Sequence, residues 1–424
     1  MNVLLISSNI ETGNMVPLPL GLNCVAVAAR DAGHKVQLLD LMGCEDNARI
    51  IQDVVQKLRP HVIGVSVRNV DNQDMTDTRF LLEPVRDLID LCRNASNATI
   101  VVGGAGFSIF PEEVLRYLKA DMGICGEGEI AFKTLLEALE GTTSLSGIAG
   151  LCLPGGRVQK GSAVRTRLET LPLPDFSLWS VPAGTGEERW IPLQTRRGCP
   201  MKCIYCSTPA LEGTMTRMHP VDAVVTVISR HVAAGFNRFY FVDNTFNFPP
   251  SYAKDLCSAL ATAGLGIQWQ CILYPGFVDE EMVLKMAEAG CVEVSLGFES
   301  GSPVILKKLN KMYTVDQVRT SSQLLSKYGI RRMGFLLLGG PGETRETVME
   351  SLAFAESLGL DMLKLTMGIR IYPGTALEKI ARKEGLIAED DKLLMPRFYL
   401  AKRLEDWLGP MIRKWMSERP YCTM

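Results

Sequence analysis

Apolar segments and helix-like segments alternate along most of the chain, and this alternation restricts the fold more than any other feature. In the first part, five short apolar runs are predicted strands: Val3–Ser7, Lys35–Asp40, His61–Val67, Thr99–Gly103 and Asp121–Cys125. Between them, Leu22–Ala32 and Ala48–Leu58 are predicted helices, the first closed by Gly33. Continuous apolar strands separated by helices indicate a parallel sheet with helices on both faces. We therefore predict a doubly wound α/β domain over residues 1–150.

The alternation resumes after a connector rich in proline and glycine, which we assign to residues 151–186 and which includes Gly155-Gly156 and Leu173–Phe176. Six further predicted strands follow: Ile191–Thr195, Arg238–Val242, Ile267–Leu273, Val292–Phe298, Arg332–Leu338 and Leu363–Arg370. The intervening helices end at glycines, as C-capping predicts: Gly235, Gly264, Gly290, Gly329 and Gly359. Thr314–Gln317 has the pattern of a capping box at a helix start.

Six βα units predict a partial (β/α)6 barrel of the TIM type over residues 187–390, rather than a closed barrel of eight. In such barrels the functional groups lie at the carboxyl ends of the strands. Residues 391–424 are predicted to form a short helical tail with an amphipathic stretch, Leu404–Trp415. This helix is expected to pack over the open end of the barrel, and a lid over the substrate is the alternative.

Length and charge exclude several classes of protein. The chain has 424 residues, too many for one ordinary core, so two or three domains are expected. Its 45 basic and 47 acidic residues offer no surplus of positive charge for a nucleic acid. Met1–Ser8 lacks a basic lead and a cleavage site, and no apolar run is long enough to span a bilayer. We expect a cytoplasmic protein with reduced thiols and no membrane partner.

One group of three cysteines stands apart, since Cys199, Cys203 and Cys206 follow the spacing C-x3-C-x2-C. Three thiolates on one short loop can hold three irons of a 4Fe-4S cubane, and no fourth cysteine lies nearby, so the fourth iron stays open to a ligand. A zinc site completed by a distant ligand and buried structural thiols are the alternatives. Zinc loops usually show paired cysteines or nearby histidines, whereas His219 lies thirteen residues beyond Cys206. We therefore predict a metal-binding, catalytic cluster at these cysteines.

With the aromatic Tyr205 before its last cysteine, this loop resembles that of the radical S-adenosylmethionine (radical SAM) superfamily. In that family the open iron binds the amino and carboxylate groups of SAM, and reduction of the cluster releases a 5′-deoxyadenosyl radical. The resemblance covers about residues 187 to 390. It implies that Tyr205 lies beside the cofactors and that an electron donor such as flavodoxin or ferredoxin serves as a partner.

Polar residues and glycines lie where the predicted barrel strands end, and the resemblance implies that they contact SAM. Asp243 and Asn244 occupy the place where the family often has Gly-Gly-Glu, so they are expected at the SAM amino group unless they cap the next turn. Glu299, at the end of the strand that contains Ser295, is expected to bind the ribose. Glu343 is placed at the start of the next helix. The remaining expected SAM contacts are Ser295, Gly334, Gly339, Ile371 and Tyr372.

The predicted strand ends of residues 1–150 are rich in glycine, which lets a large ligand approach the backbone. Together with Pro17–Leu22 they resemble the flavodoxin-like (Rossmann-like) cobalamin-binding domain that precedes many radical SAM barrels. The contacts that this resemblance implies are Gly103, Gly104, Gly126, Glu127, Gly128 and Glu129. The motif D-x-H-x-x-G, whose histidine ligates cobalt in the methionine-synthase type, is missing, and His34 and His61 are expected only to flank strands. A domain that has lost its cofactor is the alternative.

Both resemblances together imply a cobalamin-dependent radical SAM enzyme, a methyltransferase that acts on an unactivated carbon of a small molecule or natural product. SAM would serve as radical source and as methyl donor. Another radical SAM reaction, such as rearrangement, cyclisation or transfer of another SAM fragment, is one alternative. A non-catalytic cobalamin or SAM sensor is the other, but sensing needs no open iron. We further expect a monomer that binds a small-molecule substrate and no nucleic acid.

Overall fold

A computed structural model of the chain describes residues 1–11, 18–44, 46–155, 158–159, 167–179 and 189–424. Predictions that fall on Pro17, on Gly156, or on the barrel start near Glu187 lie outside these residues. The chain folds into two compact units. The first unit comprises Met1–Asn72, Arg79–Glu188 and Ala210–Glu212, and the second comprises Gln73–Thr78, Arg189–Pro209 and Gly213–Met424.

The first unit contains a six-stranded sheet, as far as its described residues show. Its strands are β1 (Asn2–Ser7), β2 (Lys35–Asp40), β3 (Val62–Ser66), β4 (Thr99–Gly103), β5 (Met122–Ile124) and β6 (Leu151–Cys152). The order is β2-β1-β3-β4-β5-β6, and all pairs are parallel except the last. This is the flavodoxin-like order with an added antiparallel edge strand. The predicted fold class of this domain is therefore confirmed.

Helices surround this sheet, which explains why its strands are apolar without interruption. The helices are α1 (Leu20–Asp31), α2 (Asn47–Leu58), α3 (Leu82–Ala95), α4 (Ala105–Ile109), α5 (Pro111–Leu118) and α6 (Gly128–Leu139). Val3, Leu4, Leu5 and Ile6 of β1 are at most 1% exposed. A strand covered on both faces gains from apolar side chains at every position rather than at alternate ones.

The short strand β6 lies inside the range assigned from sequence to the connector. Its residues Leu151 and Cys152 are completely buried, and Leu151 pairs with Ile124 of β5. The compact first unit therefore continues past residue 150. A strand of two residues carries too little periodicity to be predicted, and its pairing with β5 depends on tertiary contacts.

The second unit contains a seven-stranded parallel sheet among its described residues. Its strands are β7 (Ile191–Leu193), β10 (Arg238–Phe241), β11 (Gln268–Leu273), β12 (Cys291–Glu299), β13 (Arg331–Leu338), β14 (Met362–Met367) and β17 (Cys422–Thr423). The order is β17-β14-β13-β12-β11-β10-β7. Small strands outside this sheet are β8 (Arg196–Arg197), β9 (Arg217–Met218), β15 (Ile369–Arg370) and β16 (Phe398–Tyr399). The six βα strands follow chain order across the sheet, as the partial barrel requires.

The helices of this unit follow the predicted pattern. They are α7 (Thr208–Leu211), α8 (Val221–Ala233), α9 (Pro250–Ala263), α10 (Glu280–Glu288), α11 (Pro303–Lys308), α12 (Val315–Lys327), α13 (Arg345–Ser357), α14 (Ala376–Lys383) and α15 (Leu408–Ser417). The five glycines predicted to close helices all have positive φ angles. Thr314 and Gln317 form both hydrogen bonds of the predicted capping box. No helix of the described residues is long and apolar enough to cross a membrane.

Two features of the second unit differ from the sequence-based expectation. The sixth predicted strand is interrupted at Gly368, whose φ of 74° separates β14 from β15. The tail contains the predicted helix, as α15, but its last residues add β17 to the edge of the sheet beside β14. The tail is thus part of the barrel sheet and not only a helix packed near it.

Candidate active site

The cysteine loop, residues Cys199–Cys206, follows β7 at the carboxyl end of the barrel sheet. Gly198 precedes it with a φ of 92°, and a Cβ added there would collide with the Met215 carbonyl. The Cys199 amide donates to the Gly213 carbonyl at 2.9 Å. Only glycine tolerates both this backbone angle and this close approach. The backbone conformation at the start of the cysteine loop is therefore fixed.

The Asp243 carboxylate anchors the start of the cysteine loop from within. It accepts hydrogen bonds from the Thr195 amide at 2.7 Å, the Thr195 hydroxyl at 2.6 Å and the Arg196 amide at 3.0 Å. Arg196 Nε lies 3.3 Å from the same carboxylate. Asp243 has no exposed surface and its carboxylate is engaged within the protein, which favours a structural role, and its predicted contact with the SAM amino group stays a prediction. Asn244 is half-buried beside Thr208, and its predicted SAM contact stays a prediction.

A second segment, Leu309–Lys311, holds the middle of the cysteine loop. The Leu309 carbonyl accepts from the Ile204 amide at 3.2 Å, and the Asn310 side chain donates to the Lys202 carbonyl at 2.6 Å. Lys311 Nζ donates to the Tyr205 hydroxyl at 2.9 Å. These three contacts connect the loop to the segment between α11 and α12. The middle of the cysteine loop is therefore held in place by contacts with this segment of the chain.

The donor set of the cysteine loop fits a cubane cluster with one open iron. Cys199 is buried, and Cys203 and Cys206 are half-buried. Among the described residues, no group of three or more His, Cys, Asp or Glu side chains is close enough to hold a single metal ion. A cubane makes a different demand, because each thiolate binds a separate iron. Burial raises the pKa of the Cys203 thiol, and the nearby Lys311 ammonium acts against that rise.

Glu299 ends β12 next to the cysteine loop. Its φ of 61° coincides with a register shift between β12 and β13, and its side chain is 17% exposed. Its carboxylate oxygen Oε1 lies 3.3 Å from Lys311 Nζ. The carboxylate thus lies at the carboxyl end of the strand, where the ribose contact was predicted. Ser295 lies mid-strand and is half-buried.

Lys311 is the functional residue that the sequence reasoning missed. Its side chain is only 5% exposed. Burial acts to lower the pKa of Lys311, but the Glu299 charge and the neighbouring phenols outweigh this effect, so the pKa lies well above its usual value. Nothing local marks this lysine, because its partners lie about ten residues away and in a distant loop. Only the fold brings them together.

The glycines predicted to admit SAM make room for protein side chains instead. A Cβ on Gly334 would collide with Leu360 and lie 2.9 Å from a ring carbon of Phe298. A Cβ on Gly339, whose φ is 98°, would lie 2.5 Å from Leu400. The space beside each glycine is occupied by packed side chains, and the predicted contacts of Gly334 and Gly339 with SAM stay predictions.

The last two predicted SAM contacts, Ile371 and Tyr372, differ in burial. Ile371 has no exposed surface, and its amide donates to the Arg397 carbonyl at 2.8 Å; its predicted contact stays a prediction. Tyr372 is half-buried, with the Arg370 guanidinium 5.1 Å from its ring centroid, and its role stays a prediction. Glu343 does not begin a helix: it accepts from the amides of Gly339 and Gly340 and closes the preceding loop.

In the first unit, the glycines named from sequence lie in loops after β4 and β5. Gly104 has a φ of 99°, and a Cβ there would lie 2.6 Å from the Val67 carbonyl. Gly103 lies beside it at the end of β4. Gly126 has a φ of 86° with no atom within 4 Å of its missing side chain. These loops lie at the carboxyl ends of the strands, where ligands bind in this fold, and a large cofactor could approach Gly126 closely.

The residues after Gly126 differ in their access. Glu127 is half-buried and precedes α6, and Gly128 begins this helix with Val25 3.0 Å from its missing Cβ. Glu129 is only 3% exposed, which favours a structural role, and its predicted contact with cobalamin stays a prediction. The residues of this glycine-rich motif differ in burial, and the motif itself does not reveal how deeply each side chain is buried.

His34 and His61 both lie at the amino ends of strands. His34 Nδ1 lies 3.1 Å from the amino terminus, and His61 Nδ1 accepts from the Asn2 amide at 2.9 Å. Ligands in this fold bind at the opposite, carboxyl ends. The expectation that these histidines only flank strands is confirmed.

Comparison with known proteins agrees with this architecture. The family model of the B12 binding domain matches residues 9–136, and that of the Radical SAM superfamily matches residues 193–355. An uncharacterized methyltransferase of Pyrococcus horikoshii is 28% identical over 87% of this chain and 79% of its own length. The tryptophan 2-C-methyltransferase of Streptomyces laurentii is 24% identical over 85% of this chain and 71% of its own length.

Two solved structures share the fold across nearly the whole chain. TsrM, a radical SAM methyltransferase from Kitasatospora setae, superimposes with a TM-score of 0.86 at 22% identity, covering 100% of this chain and 90% of that one. OxsB, a cobalamin-dependent SAM radical enzyme, gives a TM-score of 0.79 at 18% identity, covering 98% and 66%. The chain thus consists of a B12-binding domain followed by a radical SAM domain. It is homologous to cobalamin-dependent radical SAM methyltransferases.

Proposed function

We propose that this chain transfers a methyl group from SAM, by way of cobalamin, to an unactivated carbon of a small molecule. The observation that carries the proposal is the joint presence of the cysteine loop and a flavodoxin-like B12-binding domain in one chain. Three relatives that match 85% or more of this chain are methyltransferases. In this reaction the bound cluster would supply the electron that cleaves SAM, and cobalamin would carry the methyl group.

The residues of the barrel have separate tasks in this proposal. Cys199, Cys203 and Cys206 hold the cluster, and Asp243 fixes the strand end from which their loop departs. Glu299 binds the ribose hydroxyls of SAM. Its exposed fraction leaves part of the carboxylate accessible while Oε1 faces Lys311. Asn244 and Tyr372, both half-buried, are further SAM contacts.

The first unit would hold cobalamin without a histidine on cobalt. The supporting observations are the open space beside Gly126 and the position of both strand-flanking histidines at the amino ends of the sheet. Cobalamin is expected to lie against the loops after β4 and β5, which include Gly103 and Gly104.

Further partners follow from the chemistry. Cleavage of SAM by a reduced cluster needs one electron from a donor, for which we propose a flavodoxin or ferredoxin. The substrate class is a small molecule, since one relative acts on tryptophan and another on a cytidylyl phosphonate. We further propose a monomeric protein.

Anaerobic reconstitution with iron, sulfide, hydroxocobalamin and SAM carrying a trideuterated methyl group tests the proposal. Tryptophan is the first substrate to try. We expect stoichiometric cobalamin, formation of 5′-deoxyadenosine and S-adenosylhomocysteine, and label in the product by mass spectrometry. A Cys203→Ala variant should form none of these products, whereas Cys44→Ala, a free thiol outside the loop, should behave as wild type.

The other outcomes discriminate between the rival functions. Formation of 5′-deoxyadenosine without label transfer, over a range of substrates, would indicate another radical reaction. Cofactor binding without any SAM cleavage under strong reductant would indicate a sensor. A chain that binds the cluster but no corrinoid would indicate a domain that has lost its cofactor.

A further inference from the structure

We propose that Lys311 sets the reduction potential of the cluster by placing a buried positive charge beside the cysteine loop, with Glu299 as its counter-charge. The proposal rests on the cluster of the proposed function. It assigns to Lys311 a positioning and electrostatic role that is separate from substrate or cobalamin chemistry.

The geometry places the ammonium group between the cysteine loop and the end of β12. Lys311 Nζ lies 2.9 Å from the Tyr205 hydroxyl and 3.3 Å from Glu299 Oε1. Its charge also acts to lower the pKa of the Cys203 thiol, against the effect of burial. The group thus contacts the residue before the last cluster ligand and the proposed ribose carboxylate, and its charge acts on one of the cysteines.

The surrounding structure prevents this ammonium from turning toward water. The Lys311 amide donates to the Leu306 carbonyl at 2.9 Å, and the preceding Asn310 adopts a φ of 57°. Nζ lies 5.1 Å from the ring centroid of Tyr205 and 6.0 Å from that of Tyr313. Two aromatic rings and a carboxylate therefore surround a charge whose side chain is 5% exposed.

A buried ion pair is seldom the best way to stabilise a fold, because apolar residues of similar volume often do as well or better. A role in setting the reduction potential of the cluster explains why the Lys311 ammonium is buried. Reduction adds one electron from an external donor, so the cluster and its thiolates become more negative by one charge. A nearby cation stabilises that state in a medium of low dielectric constant, and charge and hydrogen bonds at the sulfurs are the known determinants of cluster potential.

Glu299 limits the effect of Lys311 on the reduction potential of the cluster, and its substitution provides an internal test of that effect. Its negative charge, 3.3 Å from Nζ, opposes the stabilisation of the reduced cluster. Removal of Lys311 should therefore make reduction harder, and removal of the Glu299 charge should make it easier. A merely structural role predicts no such opposition.

The test is a redox titration of the reconstituted holoprotein, followed by electron paramagnetic resonance, with dithionite or titanium citrate as the reductant and without SAM. We expect a more negative midpoint for Lys311→Met and a more positive one for Glu299→Gln. The double variant should lie between them, and Lys311→Arg, which keeps the charge, should lie near wild type. Lys307→Met removes the same charge from an exposed position four residues away and should leave the midpoint unchanged.

Iron content and cluster absorbance are measured for each variant. If Lys311→Met keeps its cluster and its midpoint does not change, the proposal is overturned. The proposal is also overturned if the two single variants move in the same direction, since that indicates altered solvent access. If Lys311→Met holds no iron, Glu299→Gln decides, because it must raise the midpoint while Lys311 remains. A shift as expected in a protein that transfers no methyl group would refute the proposed function and leave this inference standing.

Discussion

Replacing Glu343 by glutamine is expected to remove a pH dependence from the stability of the chain. Glu343 is 3% exposed, and its oxygen Oε2 accepts from the Gly339 amide and from the Gly340 amide at 2.9 Å. Its other oxygen, Oε1, is buried with no hydrogen-bond partner among the described residues. Burial raises the pKa of Glu343 to about 7, although both backbone hydrogen bonds act to lower it.

The size and sign of the effect follow from this pKa. An acid whose pKa is raised on folding contributes full stability below its unfolded value of 4.5, and this stability is lost as pH rises to about 7. One pKa unit corresponds to about 1.4 kcal/mol, so the complete loss amounts to roughly 3 kcal/mol. Glutamine keeps an oxygen for the two amides and cannot ionise. Its buried NH2 group adds a cost that does not depend on pH.

Urea unfolding of the anaerobic protein, followed by tryptophan fluorescence at pH values from 4.5 to 8, measures this effect. We expect the free energy of unfolding of Glu343→Gln, relative to wild type, to increase by roughly 3 kcal/mol across this range. The matched control is Glu346→Gln, since Glu346 lies on the exposed first turn of α13. Parallel pH profiles for wild type and Glu343→Gln would show that the carboxylate ionises normally and refute the reasoning.

Three further predictions concern the cofactors. Alanine at all three positions of the cysteine loop should abolish the brown chromophore and SAM cleavage, whereas Cys422→Ala should retain both; cluster absorbance that persists in the triple variant would contradict the ligand assignment. Substitution of His34 or His61 should leave stoichiometric hydroxocobalamin uptake unchanged, since both lie at the amino ends of strands; loss of uptake in a folded variant would disprove this. Glu299→Gln should weaken SAM binding by roughly tenfold or more, on the order of 1.5–3 kcal/mol for charged hydrogen bonds, and should leave the iron content intact. If calorimetry shows that the variant binds SAM as tightly as wild type does, the ribose site lies elsewhere.

The sequence by itself determined the order of elements and the position of the cysteine loop. Hydrophobic runs and closing glycines are local signals, because a strand covered on both faces is apolar throughout and a glycine after a helix adopts a positive φ at little cost. The spacing of three cysteines is local as well. For this reason both domains, and the loop between Cys199 and Cys206, were predictable from the order of the amino acids alone.

The tertiary structure decided which side chains near a strand end can meet a ligand. Asp243, Ile371 and Glu129 belong to plausible motifs, yet each is buried by residues distant in sequence. Gly334 and Gly339 leave room for neighbouring side chains. The burial of a side chain depends on contacts with residues distant in sequence, and a single sequence does not reveal those contacts.

Long-range pairing likewise decided the features that carry no local signal. The edge strands β6 and β17 have two residues each, too few for a periodic pattern, and exist only because a neighbouring strand offers hydrogen bonds. Lys311 has no distinctive local context, and it gains its role because the fold brings it to Tyr205, 106 residues away, and to Glu299. A buried ammonium is tolerated only where opposite charge and hydrogen-bond acceptors converge, and that convergence is a property of the folded chain.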